Sequence, residues 1–196
     1  MTVDGESTPD LDPTEGALGS LVQRAMRSDP DAWETLYRRS YPRLFAYARR
    51  RTTSDATADD AVSETMLRAL DRIDKFTWQG AGFDAWLYGI LRNVVLETHR
   101  HDGRAQPRAD LPEPAAPDAV QPLDALVRLD QHGEIRAAFD RLSPDDQEIL
   151  ELRVVAGLTA EGVAEATDRT AGAVRMAQSR ALGRLRTHYR AVSGDV

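Results

Sequence analysis

Six arginines lie between residues 169 and 190, and no Asp or Glu lies among them. A guanidinium group can hydrogen-bond a phosphate or, through two N–H groups, the O6 and N7 edge of guanine, and Gln can contact adenine similarly. Hydroxyl groups and the free amides at a helix start suit phosphates. The pattern therefore predicts contact with DNA. The candidate residues are Arg169, Thr170, Ala171, Arg175, Gln178, Ser179 and Arg180.

A helix–turn–helix pattern positions these side chains. Thr159 is a suitable N-cap for a short helix over 160–166, and Asp168 in the following turn tolerates a left-handed backbone. A second helix begins at Thr170, and its apolar residues fall on one face. The alternative is an ordinary bundle helix with a solvated arginine-rich face. The apolar residues are Val174, Ala177, Ala181, Leu185 and Tyr189.

The composition limits the other functions open to this chain. It has 196 residues and a net charge of −7, an acidic balance that opposes strong DNA binding by the chain alone. It has no cysteine, so a disulfide framework and a thiolate zinc site are excluded. The histidines lack metal-site spacing, and we expect no metal, no cofactor and no catalytic centre. Neither a signal peptide nor a membrane span is predicted, which favours a cytoplasmic protein.

The hydrophobic periodicity is helical throughout, so the fold class is predicted to be all-α, with two small helical domains joined by a proline-rich linker. Pro42 is expected to kink or break the helix that contains it. Two further helices are predicted, over about Asp55–Lys75 and Phe83–Arg100. The predicted parts are a disordered acidic N-terminus (1–13), a four-helix domain (14–101), the linker (102–122), a helix–turn–helix domain (123–190) and a tail (191–196).

Four segments resemble a known family, the bacterial extracytoplasmic-function (ECF) sigma factors of the sigma-70 family. Residues 30–53, 57–76 (TADDAVSETMLRALDRIDKF) and 78–93 (WQGAGFDAWLYGILRN) resemble its sigma-2 domain. Residues 141–187 resemble its sigma-4 domain. The resemblance implies a non-enzymatic protein that binds core RNA polymerase, directs it to promoters and helps open the DNA.

The resemblance also implies roles for individual residues. The surface that docks on the clamp helices of the polymerase β′ subunit would comprise Asp59, Asp60, Val62, Ser63, Glu64 and Met66. The −10 promoter element would be contacted by Trp78, Gln79, Asn93, His99, Arg100 and Arg104. The helix–turn–helix would contact the −35 element. Further implied partners are the polymerase β flap and an anti-sigma factor.

Two other functions share part of this pattern. A helix–turn–helix regulator that binds operators by itself would contain the C-terminal helices but not the AWL…RN segment (residues 85–93). A sigma-like decoy would bind polymerase without supporting transcription. Some positions also depart from the family's pattern, among them Gln79, Asp168 and Gln178, so the preferred promoter sequence cannot be transferred from relatives.

Overall fold

The computed structural model describes residues 13–78, 82–105 and 133–193. Within these ranges every regular element is a helix, which confirms the predicted all-α class. None of the described helices is both long and apolar enough to cross a membrane. The chain divides into two compact units, one ending at Arg39 and the other beginning at Ser40.

Eight α-helices are described, together with a short 3₁₀ turn over Ile73–Lys75 and a π-helical turn over Glu151–Val155. The α-helices are α1 (Pro13–Met26), α2 (Pro30–Arg49), α3 (Asp55–Leu70), α4 (Gly82–Ala105), α5 (Glu134–Asp140), α6 (Pro144–Leu150), α7 (Ala160–Thr167) and α8 (Ala171–Ser193).

Short polar side chains fix where several helices begin. The hydroxyl oxygen of Ser143 accepts a hydrogen bond from the Asp146 amide at 3.3 Å, and that of Thr159 accepts from Gly162 at 3.0 Å. Thr170 caps α8 in the same way through the Ala173 amide at 3.2 Å. Each such cap satisfies a free N–H group and is worth about 1 kcal/mol. The helix starts predicted at these three residues are therefore confirmed.

Three predicted helix boundaries differ from the structure. The helix predicted to reach Lys75 ends at Leu70, and a separate 3₁₀ turn covers Ile73–Lys75. α2 continues through Pro42 to Arg49, so no break occurs there. Proline inside a helix costs about 3 kcal/mol, and burial of Leu44, Tyr47 and Ala48 on the following turns offsets that cost. α4 extends to Ala105, beyond the predicted end at Arg100, because the first residue that excludes a helix is Pro107. The first residues assigned to the linker are therefore helical, and 106–122 lie outside the described residues.

Two groups of helices form the core of the unit that begins at Ser40. α4 packs against α3 and buries Phe83, Leu87 and Leu91. α8 packs against α5, α6 and α7, around a cluster that contains Phe139, Leu142, Leu150 and Ala181. α4 also packs against α7, so the two groups of helices contact one another.

Candidate nucleic-acid interface

The helix–turn–helix predicted from the sequence is present as α7, a turn and α8. Asp168 adopts the left-handed conformation at φ 56° and ψ 45°, and the Arg169 amide donates to the Ala164 carbonyl oxygen at 2.9 Å. Val163 of α7 and Val174 of α8 are fully buried. The turn and the packing of the two helices fix the orientation of α8 relative to α7.

The side of α8 opposite this buried stripe is open to solvent. Arg175, Ser179 and Arg180 are exposed there, as a DNA-contacting role requires. Met176 lies among them and is 64% exposed, the most exposed large apolar side chain of the described residues. An apolar side chain at such a position suits the methyl group of thymine. The sequence analysis missed Met176, although its position opposite the apolar stripe of α8 places it on the exposed face.

Three of the candidate side chains are engaged by other residues. Arg169 pairs with Asp145, and Arg175 Nη1 donates to Glu161 Oε1 at 2.8 Å. Gln178 Oε1 accepts from Arg153 Nε at 2.9 Å, and a bidentate contact with adenine would need that oxygen. Gln178 can therefore contact adenine in this way only if Arg153 moves.

The remaining two candidates lie at the start of α8. Thr170 uses its hydroxyl group as the helix cap, and Ala171 is the first residue of the helix.

The pKa of Glu161 is lowered by a hydrogen bond from its own backbone amide and then by the Arg175 guanidinium. Glu161 is therefore ionised at neutral pH and pairs with the Arg175 guanidinium as a carboxylate.

Four aromatic side chains pack together in the region predicted to contact the −10 element. Phe76 lies at its centre, with ring centroids 5.9 Å from Trp78, 5.7 Å from Phe83 and 5.1 Å from Trp86. Phe83 is fully buried, whereas Trp78 is 46% exposed and meets Phe76 edge-on. An exposed indole held in this way can stack on an unpaired base.

A basic cleft of about 170 Å³ lies between α3 and α4, and it includes two of the predicted residues, Asn93 and Arg100. Arg68 crosses one side, where its Nε donates to Glu64 at 2.6 Å and its Nη2 to Glu97 at 2.8 Å. The hydrogen bond from Arg68 lowers the pKa of Glu97. The complete lining is Arg68, Arg72, Ile90, Asn93, Glu97 and Arg100.

Of the other predicted −10 residues, the two whose side chains are described are not brought together with this cleft. Neither Trp78 nor His99 lines it, and His99 is exposed elsewhere on α4. Arg104 belongs to the last turn of α4, but its side chain lies outside the described ones. Gln79 lies outside the described residues altogether. The sequence analysis did not identify Arg68 and Arg72 as cleft residues, because nothing in their own segment indicates that they lie near Asn93 of α4.

Only some of the α3 residues predicted to contact polymerase are exposed. Asp59, Asp60 and Ser63 are exposed, and Asp59 accepts a hydrogen bond from the Tyr41 hydroxyl at 2.7 Å; Glu64 is half-buried. Val62 and Met66 are buried, so the structure places them in the core and not on this surface. The reason is their spacing, because residues four apart share the helix face that packs against α4.

Leu67 and Leu70 are exposed on the same side of α3 as Asp60 and Ser63. Sequence reasoning missed Leu67 and placed Leu70 in the buried stripe of this helix, which is wrong because Leu70 is exposed. Both leucines lie on the side of α3 away from its buried residues, so their helical offset could have identified them as exposed. Asp60, Ser63, Leu67 and Leu70 are called the α3 stripe below.

Comparisons with known proteins agree with this architecture. Residues 36–105 match the family described as sigma-70 region 2, and residues 138–187 match sigma-70 region 4. The ECF RNA polymerase sigma factor SigD of Mycobacterium tuberculosis is 34% identical over 187 residues, which cover 92% of this chain and 88% of that protein. BldN of Streptomyces coelicolor is also 34% identical, over 89% of this chain and 66% of its own length.

A solved structure supports the fold. CnrH, in complex with the cytosolic domain of CnrY, is similar with a TM-score of 0.60 and 20% sequence identity, over 90% of this chain and 97% of that one.

Proposed function

The chain belongs to the ECF RNA polymerase sigma factors, and from that premise we propose that it binds core RNA polymerase in the cytoplasm and directs it to two-part promoters. One observation supports the proposal. Each of the two matched regions has its own exposed candidate surface, α8 in one and the Trp78 cluster with the basic cleft in the other. An operator-binding regulator needs only the first of these.

The −35 element is assigned to α8. Arg175, Met176, Ser179 and Arg180 form an exposed patch that combines a guanine-binding group, an apolar contact and phosphate-binding groups. Arg169 and Gln178 are given supporting roles, because their polar groups already bond to Asp145 and Arg153. The start of α8, at Thr170 and Ala171, suits a phosphate of the same element.

The −10 element is assigned to the first matched region. Opening a promoter requires bases to leave the stack, at a cost of a few kcal/mol per base. The exposed face of Trp78 can offset part of this cost by stacking. Asn93, Arg100 and Arg72 can hold the strand through base-edge and phosphate contacts in the cleft. His99 and Arg104 are proposed phosphate contacts further along α4, and Gln79 keeps its proposed role beside Trp78.

Core polymerase is assigned to the α3 stripe. Acidic residues at the start of a helix followed by exposed leucines match a partner surface that is basic at one end and apolar at the other. The stripe would contact the clamp helices of β′, with Asp59 and Glu64 at its margin. The helix–turn–helix region would contact the β flap. An anti-sigma factor is the proposed regulator, and sigma factors act without covalent chemistry of their own.

Transcription in vitro tests the proposal. Core polymerase, the purified chain and a genomic promoter library should give run-off transcripts from defined start sites that require the chain. Trp78→Ala should reduce promoter opening at least tenfold, whereas Trp78→Phe, which keeps an aromatic face, should retain most activity. A specific footprint without core polymerase would instead favour a stand-alone regulator. Core binding without any transcript would favour a decoy.

A further inference from the structure

Of the described residues that line the basic cleft between α3 and α4, only Glu97 carries a carboxylate. The other charged residues of the lining are Arg68, Arg72 and Arg100. A carboxylate repels DNA phosphates, so a cleft that only held the backbone of a strand would be expected to lack one. The position of Glu97 therefore calls for an explanation other than phosphate binding.

Arg68 holds the Glu97 side chain from the opposite helix. Its Nη2 atom donates to Glu97 Oε2 at 2.8 Å, and its Nε atom donates to Glu64 Oε1 at 2.6 Å. The guanidinium group is thus fixed by one carboxylate on α3 and one on α4. The Glu97 side chain is 46% exposed. Because Arg68 bonds to Oε2, the second carboxylate oxygen of Glu97, Oε1, is available to a ligand in the cleft.

Glu97 keeps its negative charge at neutral pH. The hydrogen bond from Arg68 lowers its pKa, and the charges of Arg100 and Arg72 lower it further. An ionised carboxylate accepts hydrogen bonds and cannot donate them, whereas a guanidinium group only donates. Glu97 can therefore bind a donor group on DNA, and the arginines around it can bind acceptors such as phosphate oxygens.

Cytosine is the base whose major-groove edge offers a donor without an acceptor. It presents its N4 amino group alone, whereas adenine presents N7 beside its N6 amino group. Guanine presents O6 and N7, and thymine presents O4. An acceptor next to the Glu97 carboxylate would be repelled, so the carboxylate favours cytosine over the other three bases. Asn93, one helical turn earlier, does not discriminate in this way, because an amide both donates and accepts.

We propose that Glu97 is a specificity-determining residue that selects cytosine at one position of the −10 element, and that Arg68 is a positioning residue that holds its carboxylate in the cleft. This inference rests on the proposed function, because it assigns the −10 element to this cleft. Arg72 and Arg100, which are exposed, bind phosphates of the same strand.

A promoter library tests the proposal. Each position of the −10 element of a promoter that the wild-type chain uses is changed to all four bases, and run-off transcription with core polymerase is measured. Glu97→Gln keeps the size of the side chain but adds amide donors. Glu64→Gln is the matched control, since Glu64 bonds to the same arginine but does not line the cleft. Results are compared as ratios between bases, so that a change in polymerase affinity cancels.

We expect the wild-type chain to favour cytosine at one −10 position by at least about fivefold over each other base, as for a single base contact. Glu97→Gln should abolish this preference and keep the ratios at the other positions, and Glu64→Gln should keep all of them. Equal ratios for the wild type and Glu97→Gln would overturn the proposal, as would a wild-type chain without any cytosine preference. Failure of the wild type to initiate on any promoter would instead overturn the proposed function.

Two variants of Arg68 test its positioning role on the same library. Arg68→Met leaves the Glu97 carboxylate in place but removes the group that holds it, so the cytosine preference at that position should fall. Arg68→Lys keeps a charged donor and should restore part of the preference. A purely structural role would change the melting temperature and not this ratio. An unchanged cytosine preference in Arg68→Met would refute the positioning role.

A modified base tests the contact without any substitution in the chain, and decides the matter should Glu97→Gln fail to fold. N4-methylcytosine still pairs with guanine, but a methyl group replaces the amino hydrogen that points into the major groove. At the selected position it should weaken binding of the polymerase assembled with the wild-type chain by at least about fivefold. Equal affinities for the modified and unmodified promoter fragments would overturn the proposal.

Discussion

Replacing Arg175 with alanine tests the assignment of α8 to the −35 element. The Arg175 guanidinium lies 2.8 Å from Glu161, and the two side chains are 60% and 58% exposed. An exposed pair of this kind contributes about 0–1 kcal/mol to folding, so the melting temperature should fall by no more than about 4 °C. A bidentate contact with guanine is worth about 1–3 kcal/mol, so initiation should fall about 5- to 150-fold.

The assay is run-off transcription on two templates, one with the native −35 element and one with that element scrambled. Arg175→Ala should lose activity on the first template and approach the low activity that the wild-type chain shows on the second. Its affinity for core polymerase should not change. The matched control is Arg186→Ala, an exposed arginine about 16 Å further along the same helix. Full initiation by Arg175→Ala on every promoter would refute the assignment.

Three further predictions concern two carboxylates and one exposed leucine. Glu161→Gln should raise initiation from promoters with weak −35 elements about two- to tenfold, because it frees Arg175; an unchanged rate would mean the pair does not compete with DNA. Leu67→Asp should weaken core polymerase binding at least tenfold in a fluorescence titration, without lowering the melting temperature, since Leu67 is 60% exposed. Asp146→Asn should lower the free energy of unfolding by about 1–3 kcal/mol at pH 7. The hydrogen bond from Arg184 lowers the pKa of Asp146 from its ordinary 3.8, so this stabilisation is present above pH 3.8 and is lost as pH falls through the folded-state value. Denaturant titrations of both proteins across that range should show the difference shrink toward acid.

Features that depend on neighbouring residues could be predicted from the sequence. The caps at Ser143, Thr159 and Thr170 and the left-handed turn at Asp168 require only a few residues of the right type in the right order. The buried face of α8 follows from its periodicity alone. The same reasoning could have identified Met176 as exposed, because it is adjacent to Arg175 in sequence and lies opposite the apolar stripe.

Features that depend on distant residues could not be predicted. Tyr47 and Glu148 are 101 positions apart in the chain, and nothing in either segment indicates that they form a hydrogen bond. The hydrogen bond between Arg153 and Gln178 could not be predicted either, because both residue types are common on solvent-exposed helix faces without any such partner. The burial of Val62 and Met66, in contrast, follows from the helical periodicity of α3, and only the match to a family motif assigned them to a docking surface.

The contradiction between an acidic chain and an arginine-rich helix is resolved inside the second helical group. Asp145, Asp146 and Glu161 each pair with an arginine from α8 or its preceding turn. Glu148 approaches Arg92 of α4, and Glu151 approaches Arg50 and Arg51, which directly follow α2. The acids therefore neutralise arginines that could otherwise attract DNA phosphates, so we expect the free chain to bind promoters weakly and with a shallow dependence on salt. Polymerase supplies the missing affinity by holding both helical groups at the promoter, which makes promoter binding conditional on assembly.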